Sequence, residues 1–215
     1  MTLGVMSLFS GLGPTMSSEP KTLAAALALL QTLTPQIHSI LDGSKLKLPL
    51  HEMGIFKPRG GRDKGKGNVL WLGPDPGAQE SERLRKVCKL INEAFIKEGF
   101  IVDDKRPLKV CSQLKWGFDL SGLIYIQLHL TILNTTQRKP KSRNGRPEPF
   151  SYSEMLDSPA FQAIIATSRS TSSRDRQKDV VQVDFGTYDV DEVQICEMGS
   201  HGPDNEYVSC GGIVL

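Results

Sequence analysis

The run Ile124–Asn134 (Ile-Tyr-Ile-Gln-Leu-His-Leu-Thr-Ile-Leu-Asn) constrains the fold more than any other segment of the chain. Its aliphatic and β-branched residues predict a strand. Side chains alternate between the two faces of a strand, so His129, Thr131 and Leu133 are expected on one face and Leu128, Leu130 and Ile132 on the other. An imidazole and a hydroxyl two residues apart then point the same way. The imidazole exchanges a proton near neutral pH, and the hydroxyl can hold a phosphate oxygen beside it. His-x-Thr alone is a common pattern, and a histidine satisfied at a core edge produces it equally well.

The rest of the chain narrows the class. With 215 residues there is material for one substantial core or two small lobes. A net charge of +2 gives no bulk field that would favour a polyanion, so any such contact has to come from local clusters. No apolar run approaches the roughly 20 residues of a membrane span, and Met1–Phe9 lacks the basic flank of a signal peptide. The cysteines Cys88, Cys111, Cys196 and Cys210 have no Cys-x-x-Cys spacing, which predicts reduced thiols rather than a zinc site, in the nucleus, the cytoplasm or both.

Periodicity places the elements. Ser17-Ser18-Glu19-Pro20 reads as a helix start before the stripe Leu23, Ala26, Leu27, Leu30, Leu33, and Thr34–Leu41 reads as a turn closing at Asp42-Gly43. Leu46, Leu48 and Leu50 alternate as in a strand; Lys57–Gly67 is a basic glycine-rich loop, and Asn68–Leu72 a second strand stopped by Gly73-Pro74. Ser81–Glu98 is the best amphipathic helix, with Leu84, Val87, Cys88, Ile91 and Phe95 on one stripe. Helical pieces broken at Pro159 lie within Tyr152–Ala166, and Val180–Phe185, Val190–Met198 and Tyr207–Leu215 read as strands. Thr167–Lys178 is polar and serine-rich.

A second threonine gives the histidine strand a counterpart. When Met1-Thr2-Leu3-Gly4-Val5-Met6-Ser7-Leu8 is set beside Leu128–Leu133, Thr2 meets Thr131, and the residue meeting His129 would precede Met1. These two stretches, with Val193-Gln194-Ile195-Cys196-Glu197-Met198-Gly199, resemble the 2H phosphoesterase superfamily, which carries two His-x-Thr/Ser motifs on pseudo-symmetric lobes. The closer resemblance is to the branch of the A-kinase-anchoring-protein nuclear-localisation-signal domain and of activating signal cointegrator 1 complex subunit 1. It implies an α+β bilobal fold: two sheet-and-helix lobes around a cleft, formed by residues 1–215 as one domain. The strand–helix–strand segment that usually precedes the first motif is absent here, so the first lobe is expected to be incomplete. Family members pass almost directly from Arg106–Lys109 to the histidine strand, which marks 110–127 as an insertion. Codons available to Val110-Cys111 and Gln127 resemble splice sites, so a retained intron and a lineage-specific loop both stay open.

The resemblance also implies a chemistry. It is metal-independent hydrolysis of RNA-related phosphodiesters, such as 2′,5′-linked oligonucleotides or cyclic phosphates, with no cofactor. His129 would be one proton carrier, acid or base, and Thr131 and Thr2 would bind the phosphate. With the first motif histidine missing, activity is expected to be strongly reduced. The cointegrator likeness implies an alternative, a non-catalytic nuclear adaptor in transcription regulation and DNA alkylation repair with a cointegrator complex as partner. His38, His51 and His201 lack the strand pattern and read as surface residues. The basic loops Lys57–Lys66 and Arg138–Arg146 would steer phosphate, or simply be solvated; the second also suits nuclear import. Trp71 reads as core, and Trp116 as a residue able to stack on a base.

Overall fold

The computed structural model describes residues 1, 3–6, 8, 21–57, 65–75, 77–101, 128–137, 147–165, 180–204 and 206–215. The insertion 110–127, Cys111, Trp116, the cores of both basic loops and Thr167–Lys178 lie outside them, as does Thr2. The fold is α+β. The chain divides into two compact units, one built from 48–81 and 128–188, the other from 2–47, 82–127 and 189–215.

The first unit centres on a four-stranded antiparallel sheet. Its strands are β2 (Glu52–Phe56), β4 (Val69–Gly73), β5 (Leu130–Asn134) and β7 (Val180–Gln182), in the order β5-β4-β2-β7. Two-stranded ribbons pair β1 (Leu46–Pro49) with β8 (Thr187–Val190), and β3 (Lys66–Gly67) with β6 (Phe150–Ser151). Strand β2 escapes the sequence reading because Met53-Gly54-Ile55 puts a glycine, a poor strand former, at its centre. Met53, Ile55, Leu70, Leu72 and Val181 alternate onto one face. There they pack on Tyr152 and Leu156 of α4 (Tyr152–Asp157). The Tyr152 hydroxyl donates to the Met53 carbonyl at 3.1 Å, so the helix is hydrogen-bonded to the sheet it covers. Ser151 caps α4 by accepting from the Glu154 amide. Pro159 opens α5 (Pro159–Ile165), as a first-turn proline can.

The second unit carries α1 (Leu23–Thr32), α2 (Thr34–Leu41), most of α3 (Gln79–Lys97) and the hairpin of β9 (Glu192–Cys196) and β10 (Ser209–Val214). Helix α1 starts later than Ser17–Pro20 suggested. Thr22 is its cap, accepting from the Ala25 amide at 3.2 Å. The expected turn Thr34–Leu41 is a helix, opened by Pro35 and closed by Asp42 and Gly43 at positive φ. In α3 the expected stripe is buried: Leu84, Val87, Cys88, Ile91 and Phe95. The helix ends where Gly99 takes φ +70°. The Gly99 amide donates to the Ile96 carbonyl and the Phe100 amide to that of Phe95, the paired bonds of a Schellman terminus. No described helix is long and apolar enough to cross a membrane.

Candidate functional site

The site is built on the face of the four-stranded sheet opposite α4. On this face β2 places Gly54 beside Trp71 of β4, and β4 places Trp71 beside Thr131 of β5. Two glycines clear the ground. Gly54 contributes no side chain next to Trp71. At Gly73 an added Cβ would lie 2.9 Å from the Leu128 carbonyl oxygen and 3.2 Å from Trp71 Cζ3. Gly73 therefore permits the backbone just before His129, and the indole edge, to close over β4. Trp71 is buried, as expected of a core residue, and stacks on Phe56 with ring centroids 5.9 Å apart.

His129 precedes the first residue of β5 and is half-buried. Its ring meets Phe56 edge-on, centroids 5.0 Å apart and planes at 88°. Phe56 touches both the histidine and Trp71, and Trp71 is the ladder partner of Thr131, so His129 and Thr131 come to the same face. Thr131 is exposed, which leaves its side chain accessible. The expectation for Leu133 fails. The register shifts between Leu70 and Trp71, so Leu133 pairs with Leu70 while Thr131 pairs with Trp71, and Ile132 is the extra residue of a bulge. Alternation is broken there, and Leu133 falls opposite a residue of the α4-facing core. Strand β5 lies at the sheet edge, and Leu130, Ile132 and Leu133 expose apolar surface along it. It ends at Asn134, whose Oδ1 accepts from the Thr136 amide at 3.0 Å and from the Thr136 hydroxyl at 2.6 Å.

Glu52, which no sequence pattern singles out, sits across the ladder from Gly73 on this face. Burial pushes its carboxyl up from the ordinary glutamate value and nearby Asp75 adds to this, while the Gln182 amide, donating at 3.1 Å, opposes it. Its signal is tertiary. Only the pairing of β2 with β4 and β7 brings Glu52 to Gly73 and Gln182.

In the second unit the opening segment is docked against α3. The Asn92 Nδ2 donates to the Leu3 carbonyl at 3.0 Å, and Asn92 is buried. A Cβ on Gly4 would collide with Ile101 Cδ1. Residues 3–6 make no strand ladder among the described residues, contrary to the expected first strand. The remaining histidines are surface groups. His38 is exposed on α2, His201 is exposed beside Tyr207, and His51 faces Asp184 at 3.7 Å. Cys88, Cys196 and Cys210 are free thiols, and burial pushes that of Cys88 up to about 12. Among the described residues no group of three or more His, Cys, Asp or Glu is arranged to hold a metal ion.

Residues 1–215 match the family described as AKAP7 2'5' RNA ligase-like domain. No curated protein matches the chain.

Proposed function

This chain belongs to the AKAP7 2'5' RNA ligase-like domain family, a branch of the 2H phosphoesterase superfamily, and on that premise we propose that it is a phosphoesterase-like protein for RNA-related phosphodiesters, 2′,5′-linked oligonucleotides or cyclic phosphates. The observation that carries the reading is the convergence of His129 and Thr131 on one sheet face, with Phe56 against the histidine ring. A phosphodiester needs its attacking water or hydroxyl deprotonated and its leaving oxygen protonated. His129 supplies one of these transfers, each worth roughly 10²–10⁴ in rate. The Thr131 hydroxyl donates to a non-bridging oxygen and offsets charge that builds on phosphorus. Thr2 is proposed as a second donor, in a segment whose neighbour Leu3 is tethered by Asn92.

Of the four histidines, His129 is the one set in a His-x-Thr strand. The test is hydrolysis of a 2′,5′-linked adenylate dimer and of a 2′,3′-cyclic nucleotide by the wild-type chain, His129→Ala and Thr131→Ala. Loss of turnover on His129→Ala with an unchanged circular dichroism spectrum supports the reading. A rate indifferent to His129→Ala overturns it. If the wild-type chain binds these nucleotides without turnover and His129→Ala spares its protein partners, the adaptor alternative takes its place: a nuclear role in a cointegrator complex, in transcription regulation and alkylation repair.

A further inference from the structure

The β9–β10 hairpin has one buried side and one exposed side. On its inner side Ile195 and Ile213 are buried, and Gly211 of β10 lies against Leu27 of α1. On the outer side Glu192, Gln194 and Cys196 pair with Val214, Gly212 and Ser209, and all six are exposed. The tip has a held backbone. The Glu197 amide donates to the Val208 carbonyl at 3.0 Å, the Gly202 amide to the Glu206 carbonyl at 2.8 Å, and the Val208 amide to the Ser200 hydroxyl at 3.0 Å. That frame leaves large apolar groups outside: Met198 is 68% exposed, Tyr207 56% and Val214 75%. The Tyr207 ring stacks on His201, with centroids 6.1 Å apart and planes at 24°.

Charge sets the kind of occupant. Residues 189–215 hold six acidic residues and no lysine or arginine, in a chain whose net charge is +2. Asp189 is answered by Lys45 at 3.0 Å. Glu192, Glu197, Asp204 and Glu206 are exposed and have no cationic partner among the described residues. The unneutralised carboxylates around these exposed apolar side chains repel a nucleic acid or an anionic membrane. Together they suit a chain that alternates apolar and cationic residues, and Tyr207 offers a ring face to a guanidinium.

We infer that the outer face of this hairpin, with Met198 and Tyr207 at its tip, docks an extended basic segment of a partner protein. The carboxylates of Glu192, Glu197 and Glu206 receive its lysine or arginine heads, and its apolar residues cover Met198, Tyr207 and Val214. This surface is independent of the phosphoesterase reading.

Fluorescence anisotropy of the full chain with a labelled peptide of alternating arginine and leucine tests it, with a glutamate–leucine peptide as the control. The arginine peptide is expected to bind at least about tenfold more tightly than the control. Glu197→Lys should weaken it by about fivefold, whereas Glu98→Lys, the same charge change just past the end of α3, should leave it within about twofold. Tyr207→Ala should weaken it by about fivefold and Tyr207→Phe should restore it. Equal losses from Glu197→Lys and Glu98→Lys would mean general charge attraction and overturn the inference. So would indifference to Tyr207→Ala, or light scattering showing that these residues pair two copies of the chain.

Discussion

Replacing Gly73 by alanine probes the packing that places His129. The new methyl group would stand 2.9 Å from the Leu128 carbonyl oxygen and 3.2 Å from Trp71 Cζ3. The first neighbour is backbone and the second belongs to a buried ring, so neither swings aside as a flexible side-chain end would. Overpacking of this kind costs about 1–3 kcal/mol. Alanine returns about 0.5–1 kcal/mol of the conformational entropy that glycine loses in a strand. The net destabilisation is about 0–2.5 kcal/mol, centred near about 1 kcal/mol, where the Tm drop is about 2–4 °C for a chain of this size. Urea and thermal unfolding measure it. Because relief requires Leu128 to lift away from β4, the imidazole resonances of His129 should also shift in the folded variant. Gly43→Ala is the control: its site is open but its φ is +69°, so it strains a turn without touching Leu128. A Gly73→Ala protein as stable as wild type, with unmoved His129 signals, would refute the close approach.

Three further outcomes are expected. Asn92→Leu removes the donor to the Leu3 carbonyl in a buried setting; it should cost about 1–3 kcal/mol, and hydrogen exchange at residues 3–6 should quicken more than in the body of α3. The raised Cys88 pKa means the folded state holds its thiol proton more tightly than the unfolded state, whose value is near 9.0. Its contribution is fully present below that pH and falls as pH rises towards about 12, by about 1.4 kcal/mol per pH unit; Cys88→Ala should flatten that part of a pH–stability profile. Trp71→Phe shrinks a buried ring and should cost about 1–3 kcal/mol through the lost volume, with no hydrogen bond forfeited, since the indole Nε1 has no partner among the described residues. A loss well beyond that in chemical denaturation would reveal a hidden partner for the indole.

Local patterns were readable where one short-range rule dominates. The stripe from Leu84 to Phe95 needs only the helical repeat and a glycine at its end, and the structure buries that stripe and closes the helix at Gly99. Strand β5 was expected from its aliphatic run, and the pairing of Thr131 with Trp71 agrees with a strand there. Where two rules compete the reading slips. Thr34–Leu41 reads as a turn closing at Asp42-Gly43, yet it is a helix, with which its first-turn proline is compatible. Leu133 was placed by alternation, which a bulge at Ile132 interrupts, and no residue in the run announces a bulge.

The sequence by itself determined the family, the helices with strong periodicity, and the closeness of His129, just before β5, to Thr131 within it, because those follow from spacing along the chain. Tertiary structure alone decided what surrounds them. Phe56 and Gly73 lie more than fifty residues before His129, and they reach its ring and the Leu128 backbone only because β2, β4 and β5 pair in a particular register. Asn92 likewise meets Leu3 only when α3 packs on the opening segment. Such contacts depend on which strands and helices find one another, a choice governed by burial and hydrogen bonding across the whole unit.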